Sequence, residues 1–267
     1  MSTTIAERTL TAYSAAPSTP MNLPKGSPKP GFGSGLVAGA SVFGWATDLI
    51  LSALGPAWLD QGWSEMSWRK PVYAGEKLLM RLDDDGGAGP ALAIDGDDGT
   101  LRLSGRVGLG LAPWYSEIAG PPALKGSAAN AAEVTRAPFA ASTVGIQLTP
   151  LAIDMTAATA RRYAIEVQRS EDDRFTGAEP IIHPGSIAFF QVQVILPQCD
   201  IGPGIHRWAQ VQHLARPLAG KGYVGTGTVT SMYERGGRKY GQVDGSLVRD
   251  GVEIIRARED FIYAMES

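Results

Sequence analysis

The chain has 267 residues, with 24 basic and 27 acidic side chains and a net charge of −3 at pH 7. Hydrophobic residues make up 44% and charged residues 19%, a composition that supports a sizeable core and excludes a disordered chain. Because no large positive charge is available to hold a phosphate backbone, nucleic acid is not an expected partner. On length alone, the chain forms one large domain or two domains of roughly 130 residues each.

The N-terminus and the cysteine content bear on where the protein acts. Residues 1–19 lack the continuous apolar stretch of a signal peptide. The single cysteine, Cys199, rules out an internal disulfide and a multi-thiolate metal site, as expected in a reducing compartment. The most apolar segment, residues 36–54, is interrupted by glycine and aspartate and is too polar to cross a bilayer. We therefore expect a soluble, cytoplasmic protein without a membrane partner.

A segment of low hydrophobicity lies between two halves of the chain. Residues 119–142 contain few large apolar side chains and are punctuated by proline and glycine, which is typical of a linker. We therefore predict an N-terminal unit (1–118), a linker (119–147) and a C-terminal unit (148–267).

The N-terminal unit starts with an irregular, proline-rich stretch. It continues into residues 36–54, whose dense apolar content predicts a buried helix that ends at Gly55 and Pro56. Residues 63–82 and 101–114 are rich in aromatic and apolar side chains and are predicted to form strands. The order is a helix first and an antiparallel sheet after it.

The C-terminal unit shows the same order. Thr156 is a predicted N-cap for a short amphipathic helix, and Pro184 opens a second buried helix over residues 184–196, where its missing N–H costs nothing. Three segments with strand character follow, at 206–234, 238–251 and 252–265, with hairpin signals at Gly236-Gly237 and Asp250-Gly251.

One bend is common to both halves. Residues 70–75 (KPVYAG) match residues 216–220 (RPLAG) apart from one residue of length, and each follows its buried helix at a similar distance. A generic α+β fold explains each half separately but not the shared bend. We therefore predict an α+β protein with two central helices, each wrapped by antiparallel β-sheet.

Several segments resemble MaoC-like acyl dehydratases in order and spacing. In the second half they are IIHPGSIAFF, the downstream His-x-Trp strand, YERGGRKY and AREDFIYAM; in the first half they are LVAGASVFGW and RKPVYAGE. The resemblance covers most of the chain outside the linker. It implies a double hotdog fold and a lyase that adds water to, or eliminates it from, an acyl thioester such as a coenzyme A ester, without a cofactor.

Family members that hydrate enoyl thioesters usually carry an Asp, then Asn-Pro, and a His five residues after the Asp. The resemblance places Pro17 and Asn22 at the Asp and His positions of the first copy, and Asp172 and Gly177 at those of the second. A carboxylate and an imidazole can together activate water and move a proton to or from the α-carbon. We predict that Asp172 and His183, which opens the second central helix, are the catalytic pair.

Substrate-binding groups are expected beside this pair. Pro184 has no N–H, so an oxyanion donor at the helix start has to come from Gly185 or Ser186. In the first copy, Asn22 is a candidate for hydrogen-bonding a substrate carbonyl. The positive end of the helix is expected to lower the pKa of His183, which keeps the ring neutral and able to accept a proton.

Other polar residues have simpler interpretations. His206 and His213 lie on a strand whose imperfect alternation does not show which face is inward, and structural or surface roles are favoured for both. The acidic runs at 83–85 and 95–98 lie in glycine-rich turns without calcium-loop spacing, so no metal site is predicted.

Four kinds of function stay open at this point. Besides the hydro-lyase, they are a hotdog thioesterase that works with a single carboxylate, a binding or partner subunit that has lost its catalytic groups, and a pocket repurposed for a specialised elimination, isomerisation or ring formation. The resemblance across both halves favours the lyase. A homodimer formed through a sheet edge or a helix face is compatible with each of them.

Overall fold

The computed structural model describes residues 2–14, 35–122, 127–202 and 204–265. Twelve strands occur in these ranges: β1 (Thr3–Thr11), β2 (Gly62–Trp68), β3 (Lys77–Asp84), β4 (Ala91–Gly96), β5 (Leu101–Leu109), β6 (Ala137–Pro138), β7 (Leu151–Ala152), β8 (Cys199–Asp200), β9 (Ile205–His213), β10 (Tyr223–Arg235), β11 (Arg238–Arg249) and β12 (Val252–Met265). Ten of them form one antiparallel sheet in the order β1-β3-β4-β5-β2-β9-β12-β11-β10-β7.

The α-helices in the described ranges are short. They are α1 (Gly39–Gly44), α2 (Thr47–Leu54), α3 (Trp58–Gln61), α4 (Ala157–Arg162), which continues as a π-helical turn over Tyr163–Val167, α5 (Asp173–Thr176), α6 (Pro184–Ile187) and α7 (Phe190–Ile195). None of these helices is long and apolar enough to cross a membrane.

The strand order is symmetric about the pairing of β2 with β9. Moving outward from that pair, β5, β4, β3 and β1 follow on one side, and β12, β11, β10 and β7 follow on the other. In each half, the strand that pairs at the centre is the first strand of the ten-stranded sheet after the central helix, and the three later strands have the same sequence order. The two halves are therefore copies of one unit related by an approximate two-fold axis.

Backbone contacts repeat in the two halves as well. Leu36 forms an isolated antiparallel bridge with Tyr73, and Ile181 forms the corresponding bridge with Leu218. The neighbouring hydrogen bonds also match, since Val37 N donates to Val72 O at 2.9 Å and Ile182 N donates to Pro217 O at 2.8 Å. These contacts fix the shared bend of each half against the start of its central helix.

The core lies between the sheet and the helices. Alternate residues of β3 are buried, as the period of two in a strand with one buried face requires, and they are Leu78, Met80 and Leu82. The helix α2 contacts β1, β3 and β5, whereas α7 contacts β10 and β11, so each half of the sheet embraces its own helix. This arrangement is a double hotdog, and the predicted fold class is confirmed.

The central helices differ in one respect from the prediction. Each was expected to be continuous, and each is interrupted: α1 and α2 are separated at residues 45–46, and α6 and α7 at residues 188–189. The chain tightens at both points, because Ala46 N donates to Phe43 O and Phe189 N donates to Ser186 O, three residues back rather than four.

The predicted turns and cap are present. Both residues of Gly236-Gly237 and of Asp250-Gly251 have positive φ angles and close two-residue hairpins, as type I′ turns require. The Thr156 side chain accepts a hydrogen bond from Thr159 N at the start of α4. The strands β1 and β4 lie outside the predicted strand segments, as do the two-residue strands β6, β7 and β8. The predicted segments 63–82 and 206–234 each contain two strands rather than one.

The linker contributes more to the core than its composition suggested. Phe139 is fully buried and packs on Phe261 and Tyr263, both at ring-centroid distances of 5.1 Å. The short strand β6, just before it, pairs in parallel with β8. The unit boundaries at residues 118 and 148 stay predictions.

Arg258 is expected to stabilise the fold by neutralising a buried carboxylate. Asp244 is 3% exposed and accepts hydrogen bonds from Arg258 Nε at 2.6 Å and from Ala119 N at 2.8 Å. Replacing Arg258 with methionine leaves this charge unpaired, so we expect a loss of about 3–5 kcal/mol in the free energy of unfolding, measured by urea titration. The exposed pair Arg136–Asp200 provides the control, since Arg136→Met should cost only about 0–1 kcal/mol. Equal losses in both variants would contradict the role of Arg258.

Candidate functional site

A cleft of about 290 Å³ opens beside the start of the second central helix. One wall comes from β1, with Arg8 and Leu10, and a second from the junction of α1 and α2. The loop that follows the π-helical turn, residues 168–171, and the side chain of His183 complete it. The cleft therefore lies where β1 and the α1–α2 junction of the N-terminal half contact the loop of the C-terminal half that precedes Asp172.

His183 is the N-cap of α6 and is 2% exposed. Its Nδ1 accepts a hydrogen bond from Gly185 N at 3.1 Å, and its ring packs against Phe175 at a centroid distance of 4.6 Å. Burial lowers the pKa of His183 to about 3, and the nearby Asp172 charge opposes this shift. The ring is therefore neutral at pH 7, and because Nδ1 is an acceptor, the ring proton lies on Nε2.

Asp172 is the N-cap of α5 and is held by one neighbouring residue. Its carboxylate accepts a hydrogen bond from Arg174 N at 2.9 Å and contacts Arg174 Nε at 2.8 Å. The hydrogen bond from the Arg174 side chain lowers the pKa of Asp172, with smaller contributions from the Arg174 backbone and from His183. Asp172 is therefore ionised and oriented at neutral pH.

Asp172 and His183 are close enough for the charge of Asp172 to affect the pKa of His183, but only His183 lines the cleft. The two backbone N–H groups that were expected to bind an oxyanion already donate hydrogen bonds within the protein. Gly185 N donates to His183 Nδ1, and Ser186 N donates to His183 O at 2.8 Å. The hydrogen-bond donor that remains at this helix start is the Nε2–H group of His183.

The two central helices approach each other closely next to His183. A methyl group added to Gly185 would lie 2.6 Å from Tyr163 Oη and 3.1 Å from Gly44 Cα, so no side chain fits there. Gln168 fills the remaining space and donates from Nε2 to Tyr163 Oη at 2.8 Å. Its Oε1 is buried and has no hydrogen-bond partner among the described residues. The cleft thus contains an unused acceptor beside His183.

The first copy lacks the equivalent imidazole. The N-cap of α1 is Ala38, which follows Leu36 as His183 follows Ile181 in the repeated bridges. Asn22, the residue expected to bind a carbonyl in this copy, lies outside the described residues, as does Pro17. Within the described ranges, the predicted site residues are therefore found in the second copy.

A second imidazole–carboxylate pair was missed by the sequence analysis. His206 Nε2 lies against Glu259 Oε1 without the geometry of a hydrogen bond, and both side chains are largely buried, at 12% and 3% exposure. The His206 ring stacks in parallel on Trp68, at a centroid distance of 4.7 Å. The sequence pattern did not show that His206 faces inward, because the pairing of β9 with β12 shifts by one residue at Arg207. This shift breaks the alternation of inward and outward side chains.

His213 has the structural role that the sequence favoured. It is 1% exposed, its Nδ1 lies 3.0 Å from Leu59 O, and its ring packs against Trp58. Burial lowers its pKa to about 4.

One carboxylate cluster has the spacing to hold a cation. Oxygen atoms of Glu76, Asp97 and Asp98 lie within 4.8 Å of one another. However, Arg102 already contacts Glu76 at 2.5 Å and Asp98 at 3.1 Å. The guanidinium group compensates part of the negative charge of the cluster and links Glu76 to the turn before β5.

Comparisons with known proteins agree on the fold. No family model matches the sequence, and no curated protein matches it. Among solved structures, the chain is similar to an acyl-CoA thioesterase II, TesB2, from Mycobacterium marinum, with a TM-score of 0.52 and 11% identity over 86% of this chain and 90% of that one.

Two further structures are similar at a TM-score of 0.48. One is a MaoC-like dehydratase, with 14% identity over 76% of this chain and 75% of that one. The other is a Mycobacterium tuberculosis protein described as having a double hotdog fold, with 13% identity over 85% and 82% of the two chains. The double hotdog fold follows from the strand order and the helix contacts described above, and dehydratases and thioesterases both occur among the proteins to which this chain is similar.

The burial of His183 predicts a specific pH dependence of stability. The ring is neutral in the folded protein, with a pKa of about 3, but takes up a proton below pH 6.5 once unfolded. The unfolded state therefore binds more protons between pH 6 and pH 4, and stability falls as the pH falls. In His183→Asn, which keeps a capping oxygen but cannot titrate, this dependence should weaken by about 1.4 kcal/mol per pH unit.

Urea unfolding of both proteins at several pH values measures this difference. His213 contributes in the same direction in both proteins and cancels from the comparison. Parallel stability curves for the two proteins would show that His183 is not buried in its neutral form.

Proposed function

We propose that this protein is a hydro-lyase that adds water to an enoyl compound, or removes water from a β-hydroxyacyl compound, in the cleft beside His183. The observation that carries the proposal is the hydrogen bond from Gly185 N to His183 Nδ1. It leaves a buried, neutral imidazole with its proton on Nε2, next to an ionised carboxylate. A hydrogen-bond donor on the cleft wall and a carboxylate near it are the groups that a water addition requires.

In this proposal His183 is a hydrogen-bond donor rather than a base. As water attacks the β-carbon, negative charge develops on the acyl carbonyl oxygen, and the Nε2–H group stabilises it. A pKa of about 3 means that the ring is a very weak base and a neutral donor at pH 7. This role differs from the proton-accepting role expected from the sequence, because burial and the bond to Gly185 fix the tautomer.

Asp172 handles the proton in the same step. Its carboxylate accepts a proton as the water oxygen bonds to the β-carbon, and the electron pair of the double bond moves toward the carbonyl oxygen. The proton then passes to the α-carbon, which restores the carbonyl and completes the addition of one water molecule. Arg174 holds the carboxylate in place throughout, through the contact of its Nε at 2.8 Å.

Two arginines, Arg8 and Arg169, and two carboxylates, Asp48 and Glu171, line the cleft, and we propose an acyl thioester of coenzyme A as the substrate, with its anionic part toward Arg169. The Arg169 guanidinium carbon lies 3.8 Å from the centroid of the Tyr13 ring and has no carboxylate partner among the described residues. Arg8 also lines the cleft, paired with Asp48 at 2.6 Å. Gly185, Ser186 and Asn22 are retained as proposed substrate-binding positions, the first two because they build the cap of α6.

Hydrolysis of a thioester in the same cleft is a second candidate, and one observation favours it. Arg174 lowers the pKa of Asp172, which suits a carboxylate that orients water more than one that stores a proton. The products separate the two candidates, since a thioesterase releases free thiol whereas a hydro-lyase changes the absorbance of the enoyl double bond. Saturable binding without either product would favour a binding or partner subunit.

We further infer that the protein acts in the cytoplasm, as a small-molecule enzyme and without a resident cofactor. The free, buried thiol of Cys199 supports a reducing compartment. Size measurement in solution tests whether a homodimer forms.

Substitutions of His183 test its proposed role in the assay of a short-chain enoyl thioester. His183→Ala removes the donor and should lower kcat/KM by about 10²–10³. His183→Gln retains an amide N–H near the position of Nε2, so it should keep activity within about 10-fold of the wild type. An equal loss in both variants would instead indicate that the ring acts as a base.

Substitution of Asp172 tests the pair. Asp172→Asn should lower the rate by about 10²–10⁴, and combining it with His183→Ala should cost little more than either change alone, because the residues act in one step. Asp173→Asn, on the neighbouring carboxylate, is the matched control and should leave the rate within a few-fold. Wild-type turnover in both single variants would refute the assignment.

A further inference from the structure

Gln168 is a polar residue of the cleft that has no role in the function proposed above. It lines the cleft together with Gly44, Trp45 and His183, although only 7% of the residue is exposed. A side-chain amide has an NH₂ group that donates hydrogen bonds and an oxygen that accepts them, and a buried group of either kind costs free energy if it has no partner. The partners of this amide therefore indicate what a ligand in the cleft has to supply.

The π-helical turn over Tyr163–Val167 determines where Gln168 lies. Gln168 N donates to Tyr163 O at 3.2 Å, five residues back, so the turn contains one residue more than an α-helical turn. The side chains of the same two residues are also joined, because Gln168 Nε2 donates to Tyr163 Oη at 2.8 Å. Single turns of this kind are frequent at functional sites.

Two glycines hold the Gln168 amide at the crossing of the central helices. A methyl group added to Gly44 would lie 2.6 Å from both Nε2 and Oε1, and one added to Gly185 would lie 2.9 Å from Nε2. The nitrogen is therefore directed toward Gly185 and Tyr163. The oxygen lies against Gly44, which is itself part of the cleft wall.

The oxygen of this amide is the group that a ligand can use. Oε1 of Gln168 is buried and accepts no hydrogen bond from the described residues. Because buried acceptors in proteins are nearly always paired, a water molecule or a ligand in the cleft is the expected donor. An enoyl group carries no O–H or N–H. The water that adds to it, and the β-hydroxyl group that results, both carry an O–H.

We propose that Gln168 Oε1 accepts a hydrogen bond from the reacting oxygen atom, which belongs to the attacking water in hydration and to the β-hydroxyl group in dehydration. This inference rests on the proposed function and names the group that binds the hydroxyl. Gly185 is adjacent to both Gln168 and His183, so the hydroxyl lies close to the carbonyl bound at His183. No bond forms or breaks at Gln168, because an amide does not titrate at neutral pH. It positions the oxygen atom, and the proton passes to Asp172 as proposed above.

A consequence is that the cleft prefers β-hydroxyacyl groups to saturated acyl groups of the same length. A saturated acyl group leaves Gln168 Oε1 buried without a donor, whereas the β-hydroxyl group supplies one. One net hydrogen bond between neutral groups corresponds to about a 5-fold difference in Kd.

Two unreactive ligands test this preference without catalysis. They are coenzyme A analogues in which an NH group replaces the sulfur atom, one with a butyryl group and one with a 3-hydroxybutyryl group, the latter as each enantiomer. The amide bond resists hydrolysis and makes the α-proton less acidic, so neither analogue is turned over. Calorimetric titration of the wild type should give a Kd for one enantiomer of the hydroxy analogue that is lower by about 5-fold or more than the Kd for the butyryl analogue.

Substitutions of Gln168 assign the preference to its oxygen atom. Gln168→Met removes the acceptor at similar volume, so both analogues should bind with equal Kd, and the Kd of the butyryl analogue should stay within about 3-fold of the wild type. Gln168→Glu keeps an acceptor that the Tyr163 hydroxyl can hold in place, and it should restore the preference. A purely structural role of Gln168 would weaken the binding of both analogues by the same factor.

Gln198→Met is the matched control. Gln198 is also buried and bonds to Thr149 and Val194, but it does not line the cleft, so this variant should keep the preference of the wild type. Equal Kd values of the two analogues in the wild type would overturn the inference even where Gln168→Met does not fold. If the enoyl thioester is still hydrated, the proposed function survives that result. Binding of neither analogue, together with no turnover of the thioester, would overturn both.

Discussion

The pairing of β2 with β9 is the interaction on which the rest of the structure depends. It runs from Trp63 opposite Gln212 to Ser67 opposite Trp208 and joins two five-stranded halves into one sheet. Without it, each half would expose a strand edge, with a row of unpaired backbone groups. The same pairing places His206 of the second half against the Trp68 ring of the first half.

A second constraint acts where the two central helices meet. The close approach of Gly44 and Gly185 leaves room for Gln168 and Tyr163 but for no further side chain. The hydrogen bond from Gly185 N to His183 Nδ1 satisfies a buried backbone donor at this crossing. The chemistry of His183 thus follows from how the helices pack, since the bond that caps α6 also decides which ring nitrogen carries the proton.

The sequence predicted turns correctly where the backbone conformation requires one type of residue. The glycine pair at 236–237 and Asp250-Gly251 predicted both hairpins because positive φ angles favour these residues. The strand β1 gave no such signal, since most of its side chains are exposed at a sheet edge. The sequence also did not show which face of β9 carries His206. Arg207 is an extra residue in the pairing of β9 with β12, so it reverses the alternation of inward and outward side chains, and only the register with β12 reveals it. The environment of Asp172 likewise depends on an arginine two residues away, whose reach a sequence does not show.

The central claim is that an acyl carbonyl binds to the Nε2–H group of His183 in the cleft between β1 and the start of α6. A crystal structure with an unreactive thioester analogue, in which a methylene group replaces the sulfur atom, tests it most directly. We expect the carbonyl oxygen at about 2.7–3.2 Å from His183 Nε2, with the anionic part of the ligand toward Arg169. An analogue bound elsewhere in the molecule, with His183 serving only to cap α6, would contradict it.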